Sequence, residues 1–338
     1  MTNRSESVKF YNTTEQPVLI LSSRVGCGNT SIGKAIHELF DKTRTVYHRS
    51  IEDFMPGAIV QEDLEHYKFI SNNIPLLLAL IYTVPFFYQR KLLRETILRR
   101  RLPSLKEFIV SNKIRTIICI SHRQAFWTTT LKRNESLGTA VYGVLTEFGN
   151  NLGWRYIFWK EMDGFIAPPD VPIDKMSIPE QLPVKRLPLP ARTRYHTMAT
   201  QRGSKSHCLL IGGFFGQGRL TQTVEILQNY FTGIHLYVIC GKNKRRETKL
   251  KNRFGRSETV SIIGVVDSID EYLLQCRCVI TKPGMATMLE ARAARRKIFL
   301  FKGMPVAETN NACYAISNFD AEWFTVTAFS RWLAAEPD

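Results

Sequence analysis

Short apolar runs recur along the chain, separated by polar, helix-compatible stretches. "PVLILSS", "RTVYHRSI", "RTIICIS", "TAVYGVLTE" and "GFIAPP" form a first series, and "SHCLLIGG", "IHLYVICG", "TVSIIGVV", "CVITKP" and "KIFLFKG" a second. Runs that are continuously apolar rather than alternating suit strands buried on both faces, which means parallel sheets covered by helices. The pattern predicts an α/β fold with two doubly wound domains. Between the series lies "APPDVPIDKMSIPEQLPVKRLPLPARTRYHTMATQRGSK", whose prolines at 168, 169, 172, 179, 183, 188 and 190 predict a linker with a hinge near residues 185 to 205. That gives domains of 1–190 and 191–338. A doubly wound sheet takes its ligand at the carboxyl ends of its strands, so two of them are expected to face each other across a cleft.

A length of 338 residues agrees with two domains, since it exceeds what a single core usually organises. Charge adds a preference without naming a function. The formal net charge is +16, which favours phosphorylated ligands, anionic membrane surfaces or polyanions. The seven cysteines form no C-x-x-C pair and mostly sit inside apolar runs, so they read as reduced core thiols of a cytosolic protein. The opening "MTNRSESVKFYNTTEQP" has no apolar signal core, which argues against secretion.

No apolar run reaches the roughly 20 residues of a bilayer-spanning helix. The nearest, "IPLLLALIYTVPFFY" at 74–88, is followed at once by Arg90, Lys91, Arg94, Arg99, Arg100 and Arg101 against the single acid Glu95. An apolar block beside a basic amphipathic one suits a helix lying in an anionic lipid interface. Residues 74–101 are therefore expected to dock the protein on a membrane, with a buried helix followed by a solvated one as the plainer alternative.

Three glycine-rich turns carry candidate chemistry. "LILSSRVGCGNTSIGKAI" at 19–36 almost fits a phosphate-binding loop through Gly28, Gly33 and Lys34, but Ala35 stands where a Ser or Thr hydroxyl should hold magnesium. "LLIGGFFGQGRLTQTVEIL" places Gly212, Gly213, Gly216 and Gly218 between a strand and a helix, where backbone amides can approach a diphosphate or simply make a tight turn. "VITKPGMATMLEARAARRKIFLF" repeats the strand, turn and helix. Glu290, three residues after Thr287, either caps the helix or accepts from the two hydroxyls of a ribose. In "KGMPVAETNNACY", Glu308 and Asn311 can likewise bind sugar hydroxyls or cap a helix.

"VICGKNKR", "VITKPGMATMLEA" and "PVAETNNACY", in that order and spacing, resemble the nucleotide-sugar domain of the monogalactosyldiacylglycerol synthases and processive diacylglycerol glucosyltransferases, relatives of the peptidoglycan glucosaminyltransferase MurG. The likeness runs to about residue 324 and is strongest from residue 206. It implies a GT-B fold and transfer of a hexose from a UDP-sugar to a lipid-linked hydroxyl, with inversion, at the cytoplasmic face of a membrane. No metal or other cofactor is implied beyond the UDP-sugar substrate, in keeping with the absence of a D-x-D motif. By the same resemblance Gly213, Gly216, Gly218 and Thr287 hold the diphosphate and Glu290 the ribose. Glu308 and Asn311 take the donor sugar, and Gly264 with Val265 borders the uracil. Gly26, Gly28 and Asn29 belong to the acceptor-facing loop, so the first glycine turn is not a phosphate loop.

The chain departs from that family where a base is expected. Asn29 stands in place of a histidine, and Tyr156 in "GWRYI" replaces another. An amide cannot take a proton near neutral pH as an imidazole can. Glu147, where relatives have an aspartate, and His122, at the end of "ICIS", are the remaining base candidates. The rival readings are a relative that binds nucleotide-sugar or lipid without turnover, a UDP-sugar epimerase, and a nucleic-acid binder. The last is disfavoured because basic residues are shared between the halves, 25 against 18 acids up to residue 190 and 21 against 12 beyond it, without interleaved aromatics. A nicotinamide dehydrogenase lacks the acid expected after "TRTVYH". The tail after residue 324 is shorter than expected for the C-terminal helix that crosses to the first domain in this fold.

Overall fold

The apolar runs become two all-parallel, six-stranded sheets in a computed structural model that describes residues 2–24, 27–61, 65, 102–148, 152–173, 176, 178–302 and 307–335. The chain divides into one unit of Met1–Arg192 and another of Thr193–Asp338.

In the first unit the strands are β1 (Val18–Ser22), β2 (Val46–Ser50), β3 (Thr116–Cys119), β4 (Ala140–Val144), β5 (Gly164–Ala167) and β6 (Val184–Arg186), in sheet order β2-β1-β3-β4-β5-β6. β1, β3 and β5 are buried at every position, the signature of a strand covered on both faces. Helices α1 (Thr2–Thr13), α2 (Cys27–His37), α3 (Pro103–Ser111) and α4 (His122–Glu135) accompany this sheet.

The second unit holds β7 (Ser204–Ile211), β8 (His235–Ile239), β9 (Val260–Ile263), β10 (Cys276–Thr281), β11 (Lys297–Leu300) and β12 (Glu322–Trp323). Its helices are α5 (Thr193–Thr197), α6 (Leu220–Tyr230), α7 (Lys244–Phe254), α8 (Asp270–Gln275), α9 (Met285–Ala293), α10 (Ala307–Asn318) and α11 (Val326–Ala335). Helix α6 shows why these segments pack as they do: Leu220, Thr223, Val224 and Leu227 are buried at i, i+3, i+4 and i+7, one stripe against the sheet. The sheet order β12-β11-β10-β7-β8-β9 reverses between β7 and β10, the switch point where such sheets open a ligand crevice.

Two expectations are corrected, for the proline-rich stretch and for one cysteine. The proline-rich stretch is not all linker, because Val184–Arg186 pairs with β5 as the edge strand of the first sheet. A short edge strand next to proline is permitted, since only its inner side must satisfy the ladder, and Pro183 offers its carbonyl to the amide of Phe165 at 2.9 Å. The polar opening segment forms α1, anchored by Tyr11, which is 2% exposed. The C-terminal segment supplies α11, whose Ala328, Phe329 and Trp332 fill the second unit's own core beside Phe299. Finally, Cys119, Cys208, Cys240, Cys276 and Cys278 are buried thiols, but Cys313 is exposed. Among the described residues no helix is long and apolar enough to cross a membrane. The proposed docking block, residues 74–101, lies outside the described residues.

Candidate active site

Register brings the second unit's chemistry together. Ile211 of β7 is paired with Thr281 of β10, so the residues that follow each strand emerge side by side at the switch point. After β7 the chain turns through Gly213 (φ 69°), Gly216 (φ 57°) and Gly218 (φ 87°), a left-handed path that favours glycine. After β10 comes Lys282, whose stem passes directly over the first of these glycines. A Cβ at Gly213 would lie 2.7 Å from Lys282 Cε, and one at Gly218 would lie 1.9 Å from Phe301 Cε2. The turn must be glycine both to bend and to let these side chains by.

The Lys282 ammonium ends on Glu308, the second residue of α10, as a largely buried ion pair. Asn311, one turn further along α10 and 2% exposed, donates from Nδ2 to the carbonyl of Pro283 at 3.2 Å and so holds the turn that leads into α9. Helix α9 starts after Gly284, with Thr287 half-buried in its first turn. Gly213, Lys282, Glu308 and Asn311 are thus linked by contact, and Thr287 follows on the helix that they position. An anion placed here would meet backbone amides, a helix N-terminus and an ammonium.

Supports hold the glycine turn from the other side. Arg246 of α7 donates from Nη1 to the carbonyls of Gly216 at 2.7 Å and Gly218 at 2.6 Å. Asn243 caps α7, accepting from the Arg246 amide at 3.0 Å, and Lys242 lies 4.5 Å from the centre of the Phe214 ring. Glu290 is buried on α9, past the first turn, so it is not the partner of a capping box. Its charge reaches Arg194 and Tyr195 of α5; burial first, and the Glu290 charge second, push the Tyr195 phenol up. Gly264 and Val265 follow β9, two strands from β7. A Cβ at Gly264 would lie 2.8 Å from Glu247 Oε2, and Val265 is 50% exposed. They lie at the same strand ends of the sheet as the cluster.

In the first unit, Gly28, Gly33 and Lys34 all lie inside α2, where no loop remains to wrap a phosphate. Gly33 has a packing reason: a Cβ there would lie 2.6 Å from the His48 ring. Asn29, also on α2, accepts a long 3.5 Å hydrogen bond from the Thr146 hydroxyl, which leads directly to Glu147, an exposed residue in the otherwise buried segment Leu145–Phe148 after β4. Thr146 also donates to the carbonyl of Ile120 at 3.1 Å, tying that segment to the end of β3, where His122 begins α4. Asn29, Glu147 and His122 therefore cluster at adjacent strand ends. The His122 ring packs on Gly153, edge-on to Trp154. Burial above all, and Arg123 secondarily, lower its pKa to about 4, which keeps the ring neutral. Gly26 and the side chain of Tyr156 lie outside the described residues.

Two residues escaped sequence reasoning. Lys282 is one. The other is Glu52, 4% exposed, which accepts from the Ser23 hydroxyl at 2.6 Å and the Arg24 amide at 3.0 Å, with Arg123 3.7 Å away. It holds Ser23 and Arg24, just after β1. Neither the lysine ahead of "PG" nor anything in "SIEDF" marks these two residues out in the sequence.

No family model matches the chain. It is similar to the processive diacylglycerol β-glucosyltransferase of Bacillus cereus, 24% identical over 325 residues that cover 88% of this chain and 79% of that one. Among solved structures, Acinetobacter baumannii MurG superposes with a TM-score of 0.51 at 12% identity, covering 94% of this chain and 89% of that one. Os79 from O. sativa in complex with UDP does so with a TM-score of 0.58 at 12% identity, covering 93% and 89%. The fold is GT-B. Both GT-B neighbours extend over nearly the whole chain, so the fold assignment rests on both units and not on one sheet alone.

Proposed function

We propose that the protein is an inverting glycosyltransferase that moves a hexose from a UDP-sugar to the hydroxyl of a diacylglycerol-like or other lipid-linked acceptor at a membrane surface. The observation that carries this reading is the contact cluster at the β7 and β10 switch point: a glycine turn beside an ammonium, an acid, an amide and a helix N-terminus. The likeness to a diacylglycerol glucosyltransferase over 88% of this chain supports the acceptor class. The second unit binds the donor. The acceptor oxygen attacks the anomeric carbon as the bond from that carbon to the β-phosphate oxygen breaks; both electrons of that bond leave on UDP. The turn amides, the α9 N-terminus and Lys282 meet the charge that develops. The reaction uses no resident metal or cofactor.

The acceptor proton goes to Glu147 of the first unit. An exposed carboxylate beside Thr146 suits that task better than His122, whose burial makes it a weak base. Residues 74–101 bring this unit to anionic lipid. A second reading, binding without turnover, draws on Asn29 and Tyr156.

Incubation with radiolabelled UDP-sugars and vesicles containing diacylglycerol tests the proposal. The expected result is label in the lipid phase, with transfer reduced about 10²-fold or more by Glu147→Gln. Nucleotide binding without lipid labelling in the unmodified protein would favour the second reading.

A further inference from the structure

Lys282 has no role in the sequence pattern, yet three elements of the candidate donor site converge on it. Its stem crosses Gly213, its carbonyl accepts from the Gly284 amide at 2.6 Å ahead of α9, and its ammonium meets Glu308 of α10. The side chains are 16% and 8% exposed. An ammonium so enclosed needs an anionic partner, since a buried charge stripped of its counter-ion is strongly destabilised. Arg246, Lys242, Lys244 and Lys251 near the turn are engaged elsewhere: Arg246 on the carbonyls of Gly216 and Gly218, Lys242 over the Phe214 ring, and Lys244 and Lys251 on Glu247.

We propose that Lys282 is the donor's diphosphate ligand and that Glu308 is its stand-in anion, released to the donor sugar when the diphosphate takes its place. This rests on the UDP-sugar reading given above. The exchange couples the two halves of the donor. The diphosphate draws Lys282 from Glu308, and the freed carboxylate can accept from the hexose hydroxyls. During transfer the ammonium faces the β-phosphate oxygen that keeps the electron pair of the broken bond. The exchange also explains why Gly213 carries no side chain, because a Cβ there would block the lysine stem.

The two halves of the pair then affect UDP binding in opposite directions. Lys282→Met should weaken UDP at least tenfold in calorimetry while leaving uridine unchanged, and Lys282→Arg should recover part of the loss. Glu308→Gln removes the competing anion, so UDP should bind several-fold more tightly while kcat for UDP-hexose falls. Where Lys282→Met does not fold, Glu308→Gln and Lys282→Arg carry the test. A purely structural ion pair would lower the melting temperature in both variants and move UDP affinity the same way in both. That outcome, or unchanged UDP affinity in a folded Lys282→Met, overturns the exchange while leaving the nucleotide reading intact. Failure of the unmodified protein to bind UDP overturns both.

Discussion

His48 and His122 are both imidazoles packed on glycines, Gly33 and Gly153, and burial is the leading cause that lowers each to about pH 4. The unfolded chain protonates them near 6.5, so between pH 6.5 and 4 the unfolded state binds protons that the folded state refuses. Stability is therefore fully present above 6.5 and falls as pH drops through that window, by up to about 3 kcal/mol for each ring. Urea unfolding should show a loss of roughly 2 to 4 kcal/mol between pH 7.5 and 5, reduced by His122→Gln. A flat profile would mean that these rings are solvated. At this scale the sequence was legible where a residue interrupts a motif, as Asn29 and Glu147 do. It was silent on Lys282, since one lysine among 46 basic residues carries no signal until register sets it beside Gly213. The His122 ring shows the converse. Its position at a strand end could be read in "ICISH", but the neighbours that keep it neutral come from Gly153 and Trp154, about 30 residues further on.

Among the elements, all ten strands read from apolar runs are present, most plainly β1, β3 and β5, which are buried at every position and so must be apolar throughout. The two missed strands, β6 and β12, are three and two residues long, too short to make an apolar run. The tail after residue 324 was read as short for a helix that crosses to the first domain, and it forms α11. Its sequence "VTAFSRWLAA" buries Phe329 fully against Phe299, with ring centroids 5.3 Å apart, and Phe231 at 4.8 Å. Phe329→Ala should then destabilise the protein by about 3 to 5 kcal/mol in urea unfolding. A change below about 1 kcal/mol would show that α11 is not part of this core.

For the whole molecule, two doubly wound units and a net charge of +16 frame the function. Fold class was readable because strand and helix alternate twice; the unit boundary was blurred because β6 and α5 lie inside the proline-rich stretch that suggested a linker. Flotation with vesicles tests the membrane half of the account. Binding should require anionic lipid, weaken as salt rises, and fall severalfold when Arg99, Arg100 and Arg101 are replaced by glutamate. Equal flotation on neutral vesicles would rule out the electrostatic part. The donor half is tested most directly by calorimetric titration of UDP into the unmodified protein and Glu290→Ala. Measurable affinity in the former and a loss of at least about tenfold in the latter, worth roughly 1.4 kcal/mol, is the predicted result; equal affinities, or no binding to either, would contradict it.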